Sequence, residues 1–476
     1  MFRNLTILLF VATSASAQDG AALIRFASQT MGADKLQSVR ITATGRNAVL
    51  GQNLAPDQPW PMFDLASYRY TVNYRQQSAE ESFVRVQGNN PPRGGFVLAG
   101  EQAQANYVNE QTIWNLAANG TVTVAANATW EDRAMQILLT PHGFLNAAAA
   151  GQPTIKSRAK GERGTVISVT VLGKFPLEGT IGSDGLLQRV ETRLPNPVLG
   201  DMPVVVDYSD YREFRGIPFP TRVIQKQGGY PVLDLRWTNV EPNVAAEFPI
   251  PALPTATAAG PLQSEKIADG VWYTAGPYHS TIVEFRDHLL VFDAPQGDER
   301  SAAVIAEAKR VAPGKPIRYL LASHHHFDHS GGARAYVAEG ATVITQKINR
   351  DFFNEVWKAP RTLSPDRLSA NPRKPSFISV DDRYTLNDGS RTMEIYRVPD
   401  STHHLGMLIA YLPKEKILIE ADLFDPPGGI RMGNAQVETE NLYRFVQSLK
   451  LDIDKIASVH GRLVTMQDLA ASATGK

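Results

Sequence analysis

The segment Ser323–Gly332 reads Ser-His-His-His-Phe-Asp-His-Ser-Gly-Gly, which gathers four imidazoles and a carboxylate into one short stretch. Imidazole nitrogen and carboxylate oxygen are the ligands zinc takes where no thiolate is on offer, and the chain has no cysteine. Alternate side chains of an extended loop share a side, so His324 and His326 can reach one metal ion while His325 points away. Asp328 and His329 lie past the turn and can reach a second ion. Two ions about 3.5–4 Å apart share a water, lower its pKa towards neutrality and aim the resulting hydroxide at a carbonyl or phosphoryl centre. The spacing therefore predicts a two-metal hydrolytic site. Nine of the ten histidines lie beyond residue 278, so this chemistry belongs to the C-terminal half.

Such ligands need a rigid edge to stand on. The apolar run Ile317–Leu321 predicts a buried strand that stops just before the histidines, and ligands in open α/β sheets bind at such strand ends. Further strands are expected at Val271–Thr274, Thr281–Phe285, Leu289–Phe292, Thr342–Thr345, Met393–Arg397, Met407–Tyr411 and Ile417–Glu420. Helices are expected at Ser301–Val311, Ala333–Glu339, Glu440–Leu449 and Met466–Ala471. Strands alternating with helices make a layered α/β domain. Upstream, Glu241–Pro261 is rich in Pro and Ala and lacks periodicity, as a linker does. The boundaries are set at 18–243 for an N-terminal domain of unknown role, 244–263 for the linker and 264–476 for the catalytic domain. In the N-terminal part, alternating segments such as Tyr68–Tyr74, Thr121–Val124, Thr165–Val171, Gly185–Leu194, Pro203–Tyr211, Thr221–Lys226 and Val232–Thr238 predict a mainly antiparallel β domain. A helix is expected at Gly20–Met31, and a helical stretch at Trp130–Ala150 broken at Pro141. The single histidine of this half is His142, and no cluster of acids and bases suggests chemistry there.

His-x-His-x-Asp-His followed by Gly-Gly resembles the signature of the metallo-β-lactamase fold superfamily, and the other elements follow in order. His403 opens His403-His404-Leu405-Gly406, Asp422 ends Ile417-Leu-Ile-Glu-Ala-Asp, His460 stands in Ser458-Val-His-Gly461, and Asp293 closes Leu289-Leu-Val-Phe-Asp. The resemblance runs from about Glu265 to the C-terminus and implies a four-layer αββα domain. It implies two zinc ions per chain, the first on His324, His326 and His403, the second on Asp328, His329 and His460, with Asp422 bridging. His403 is preferred to His404 because the family's ligand precedes a glycine by three positions, as His403 precedes Gly406. Asp328 would orient the metal-held hydroxide and shuttle a proton, and Asp293 would support the loop without binding metal. A carboxylate at position 422, where the best-known lactamases of the family place a thiolate or no ligand, shifts the expectation towards cleavage of esters, lactones or amides. β-Lactam hydrolysis is the alternative, and an iron-dependent oxidoreductase of the same fold the second, although no flavin-binding domain is evident.

The segment Asp351–Pro375 reads as an insertion in which Phe353 and Trp357 share a helical face. They either pack that helix onto the domain or line a lid over an apolar substrate. His279, in the loop Gly276–Ser280, and Asn434, with Arg431, in the loop that leaves Asp422, are further candidates for substrate contact; His288 reads as a surface or turn residue. Lys+Arg and Asp+Glu both number 48, giving a net charge of zero and a pI near 7.2. That balance offers no basic patch for nucleic acid and favours a small or neutral partner, to which Phe353 and Trp357, if they line the entrance, would give apolar character. Arg3, the apolar run Leu5–Ala12 and Ala15-Ser16-Ala17 read as a cleaved signal peptide over residues 1–17, hence a periplasmic or secreted protein. The run is too short to span a bilayer, which takes about 20 residues.

Overall fold

Alternation of buried and exposed positions, as in Thr165–Val171, lays the N-terminal half out as strands. A computed structural model describes residues 7–89, 92–98, 100–125, 129–156, 164–254, 262–424, 426 and 436–474, with side chains from residue 19 onward. Thirteen strands form one antiparallel sheet, and the first, Ser38–Ala48, pairs with the last, Tyr230–Pro242, to join two meanders. Between the meanders the chain forms helices Trp130–Leu138 and Pro141–Ala150. A capping box on Thr129 starts one, and Thr140 with Pro141 starts the other. Helix Ile7–Met31 is longer than expected and packs Ile24, Ala27 and Met31 into the same core as Phe144, Val204 and Leu235. Residues 1–6, and the side chains to residue 18, lie outside the described part of the expected signal peptide. Among the described residues, no helix is long and apolar enough to cross a membrane.

The expected linker is bound to the sheet over its first half. Residues 244–254 have no regular structure, yet Ala246 and Phe248 are buried against Trp114. Asn73 and Asn109 donate side-chain hydrogen bonds to the carbonyls of Ala246 (2.9 Å) and Phe248 (2.8 Å). Residues 255–261 lie outside the described residues.

The C-terminal half holds a seven-stranded and a five-stranded sheet. In the first, strands Leu289–Phe292, Ile317–Leu321, Thr342–Gln346 and Ser376–Val380 run parallel. In the second, Ile417–Glu420 and Lys455–Ser458 are parallel. One apolar cluster joins Phe292, Leu321 and Ile344 of the first sheet to Ile395, Leu408 and Ile419 of the second. Other clusters attach helices to each sheet: Val304, Tyr336 and Phe353 to the first, Leu442, Val446 and Leu469 to the second.

The two halves are joined by built contacts. The Arg361 guanidinium donates to the carbonyls of Asn196 (3.1 Å), Pro197 (3.0 Å) and Val198 (2.8 Å). The Asp201 carboxylate accepts from Thr362 N (2.9 Å), Thr362 Oγ1 (2.7 Å) and Leu363 N (3.2 Å). The Asp351–Pro375 insertion is thus the clasp on the N-terminal sheet. At a second joint Gly51 has φ 77°, and a Cβ there would come within 2.3 Å of the Phe327 ring. Only glycine lets the 49–60 loop sit this close to the histidine segment.

Candidate metal centre

Strand ends and turns deliver the titratable side chains. Ile317–Leu321 ends just before Ser323 and His324, Leu289–Phe292 before Asp293, Ile417–Glu420 before Asp422, and Lys455–Ser458 before His460. Asp293 and Asp422 both lie in the left-handed region, with φ 59° and 62°, a conformation concentrated at functional turns. Buried Glu420 holds the second turn by accepting from Leu423 N (3.1 Å) and Phe424 N (3.2 Å). Buried Glu438 likewise accepts from Thr402 N (2.9 Å) and Ser401 Oγ (3.1 Å), and Ser401 Oγ accepts from His403 N (3.2 Å).

Hydrogen bonds at the far ring nitrogens decide which nitrogen faces the centre. Asp293 accepts from Ser323 N (2.8 Å), Ser323 Oγ (2.8 Å) and His329 Nδ1 (2.9 Å), and Ser323 Oγ meets His324 Nδ1 at 2.9 Å. His329 and His324 therefore turn Nε2 inward. His326 does the reverse: Nε2 donates to the Asn53 carbonyl (2.8 Å), leaving Nδ1 buried without a partner. The inward atoms converge on Asp422. Its Oδ2 lies 2.7 Å from His329 Nε2, 3.4 Å from His324 Nε2 and 3.6 Å from His403 Nε2, and its Oδ1 lies 3.1 Å from His460 Nε2.

At this centre three groups of donor atoms emerge: His324 with His326 and His403; Asp328 with His329 and His460; and Asp422 with His324 and His329. The His329 and His460 Nε2 atoms stand 2.9 Å apart, close enough to share one proton or to bind one metal ion. Burial alone would raise the Asp422 carboxyl, but the imidazoles of His329, His403 and His460 hold it well below the usual carboxylate range. Burial opposes a charge on His329, yet Asp422 and Asp328 outweigh it and raise that pKa well above the ordinary value. Positive charge at this spot is what the carboxylates demand, and a metal ion would supply it by displacing the proton. The all-nitrogen-and-oxygen donor set, with His326 Nδ1 left open, fits divalent metal.

His404 and His325 are engaged elsewhere. Gly406 N donates to His404 Nδ1 (2.9 Å), His404 Nε2 meets His325 Nδ1 (2.6 Å), and His325 Nε2 meets Asn53 Oδ1 (2.8 Å). One tautomer of each ring satisfies the whole run, and burial lowers both pKa values well below the ordinary one.

Of the substrate-contact candidates, Phe353 and Trp357 do not face the site. Phe353 is fully buried, its ring stacked on Trp357 at 5.1 Å within the helix-and-sheet core. Packing, not a lid, accounts for their spacing, and it is the neighbouring Phe352 that reaches His325, at 4.8 Å. His279 turns both ring nitrogens to backbone carbonyls, which accept from it: Nδ1 to Thr274 (2.5 Å) and Nε2 to Gly461 (2.6 Å). It ties its loop to the one carrying His460. Asn434 and Arg431 lie outside the described residues. His288, read as a surface or turn residue, is buried and stacks on Phe285 at 4.9 Å.

Two residues that the histidine pattern does not announce come from the N-terminal half. Gln52 Nε2 donates to Asp328 Oδ1 (2.7 Å), which leaves Asp328 Oδ2 nearer His329 (3.6 Å) and His460 (3.9 Å). Asn53, buried to 1% exposure, meets His326 through its carbonyl and His325 through its side chain. Tyr278, of the C-terminal half, is also unannounced by the histidine pattern, its ring 4.9 Å from that of His460.

Residues 273–460 match the family model of the metallo-beta-lactamase superfamily. The C-terminal part of this chain is a member of that superfamily. Among solved structures it is similar to a metallo-beta-lactamase from Pontibacter korlensis, at 19% identity over 45% of this chain and 97% of the other, with a TM-score of 0.36. The FIM-1 metallo-beta-lactamase of Pseudomonas aeruginosa in its mono-zinc form matches at 18% identity over 45% and 94%, with a TM-score of 0.35. A flavodiiron protein from Giardia intestinalis matches at 17% identity over 44% and 58%, with a TM-score of 0.34.

Proposed function

We propose that this protein is an exported binuclear zinc hydrolase that cleaves an ester, lactone or amide bond. One observation carries the reading: four imidazole Nε2 atoms lie around the Asp422 carboxylate while His326 Nδ1 is open and buried. His324, His326 and His403 would hold one ion, Asp328, His329 and His460 the other, and Asp422 would lie between them. A bound pair of divalent ions supplies Lewis acidity and a water that ionises near neutral pH. The chain's own groups do the rest. Asp293 fixes the His329 tautomer, Gln52 holds Asp328 Oδ1 so that Oδ2 faces His329 and His460, and the second lone pair of Oδ1 would be left to take a proton and return it to a leaving group. The joint between the 49–60 loop and Phe327 walls the centre from solvent on that side. The apolar clusters on both faces of each sheet support the four-layer αββα reading, with domains at 18–243 and 264–476 and a linker at 244–263. The run Leu5–Ala12 with Ala15-Ser16-Ala17 supports export.

The test is metal analysis of purified protein together with hydrolysis of ester, lactone, thioester and β-lactam substrates. Two zinc ions per chain are expected, with at least one lost in Asp422→Ala along with turnover. Stoichiometric iron, or full activity in Asp422→Ala, would sink the proposal.

A further inference from the structure

A cavity of about 970 Å³ lies between the N-terminal sheet and helix Trp130–Leu138, at the upper end of the range of about 300–1,000 Å³ for small-molecule sites. One wall is apolar: Ile41, Phe83, Val206, Val223, Leu235 and Trp237. Polar groups also border it: the Tyr70 hydroxyl is buried without a partner, whereas the charged groups make hydrogen bonds within the protein. Glu81 accepts from the Tyr68 hydroxyl (3.0 Å) and from Asn106 (3.2 Å), Arg85 donates to Gln102 (2.7 Å), and Arg133 donates to the carbonyls of Tyr107 (2.7 Å) and Trp114 (2.6 Å).

One end of the cavity is closed by a residue that neighbours the metal centre. Tyr278 lines the cavity, and its ring packs edge-on against the His460 ring. Leu50 also lines it, two positions before Gln52, whose amide holds Asp328. We infer that the cavity of the N-terminal domain holds the acyl chain of the substrate, which enters past Tyr278 and Leu50 while its carbonyl stays at the metal centre. The inference rests on the hydrolase reading only for the position of the scissile bond. It gives the N-terminal half a role, substrate binding, and makes the substrate class long-chain acyl compounds.

Binding can be read without turnover, by displacement of a fluorescent fatty acid from the metal-stripped full-length chain by hexanoate, octanoate, decanoate and dodecanoate. Affinity should rise about fourfold per added methylene until the cavity fills. Val223→Trp, which puts an indole into the apolar wall, should flatten that series. Val206→Phe, a smaller intrusion, should flatten it at the long end only and serves if the first variant does not fold. Equal binding of hexanoate and dodecanoate by wild-type protein, or an unchanged series in a folded cavity variant, would overturn the inference. If every ester and lactone resists hydrolysis yet the binding series stands, the proposed reaction fails and the acyl site does not.

Discussion

Replacing Gln52 by Ala removes one hydrogen bond, from an amide in the N-terminal half to Asp328 Oδ1 at 2.7 Å, across 276 positions of chain. A hydrogen bond to an ionised partner contributes about 1.5–3 kcal/mol, and 1.4 kcal/mol is about a factor of ten in an equilibrium. The cost should appear as metal affinity, since the bond holds one Asp328 oxygen and so aims the other toward His329 and His460, the proposed second site. The second site should therefore bind zinc about 10–100-fold more weakly, the loss usual when a ligand's supporting partner is removed. The first site, on His324, His326 and His403, contains no atom that Gln52 touches and should stay within about twofold. Competitive titration with a chromophoric chelator, with far-UV circular dichroism as the check on folding, separates the two sites. Equal weakening of both, or no weakening of either, would refute the argument that the N-terminal loop orients Asp328.

Two further outcomes are expected. His142 is buried against Phe219 and donates to the Met31 carbonyl (2.9 Å); burial pushes its pKa from 6.5 down to about 4. Its folded-state pKa is depressed, so this stability is present in full above pH 6.5 and falls by about 3 kcal/mol as the pH drops to 4. Urea denaturation of wild type and His142→Phe across that range should give a visibly shallower slope for the variant, and parallel slopes would contradict the burial argument. Phe353→Ala should cost about 3–5 kcal/mol of stability while leaving the ratio of kcat/KM for long- and short-chain esters unchanged. A shifted ratio would return Phe353 to the substrate's path.

What the sequence shows depends on how far apart the cooperating residues lie. Leu289–Phe292 and Ile417–Ile419 were legible because each is a continuous apolar run, the pattern of a strand covered on both faces, and Ile317–Leu321 shows the same pattern interrupted by the exposed Arg318. The histidines stood out because their spacing is local. His325 and His326 also depend on Asn53, more than 270 positions away, and a polar loop such as Gly51–Ala55 has no periodicity to separate it from solvated chain. Phe353 and Trp357 show the opposite limit. Two aromatics four apart say that a helix has an apolar face, but not whether substrate or protein covers it. Here the protein's own core does.

The joint between the halves bears on why a domain without acid–base chemistry is attached to this centre at all. In a C-terminal domain alone, water would replace Gln52 at Asp328 and Asn53 at His325 and His326, so no buried group would be left unsatisfied. What would be lost is orientation. His326 is the one ligand whose Nδ1 must face inward, and the Asn53 carbonyl on its Nε2 sets that choice. Asn53 in turn is fixed by its own side chain, which donates to Ala55 O (2.7 Å) and Gln58 O (2.9 Å). The loop is therefore rigid because of bonds within itself, and it presents a preset acceptor to the metal ligand. Since Leu50 of the same loop lines the sheet cavity, a chain lying there would press on the loop that sets His326 and Asp328. On the proposed reading, substrate binding and ligand geometry would share a single short segment, residues 50–53, and a change in either would be felt at the other.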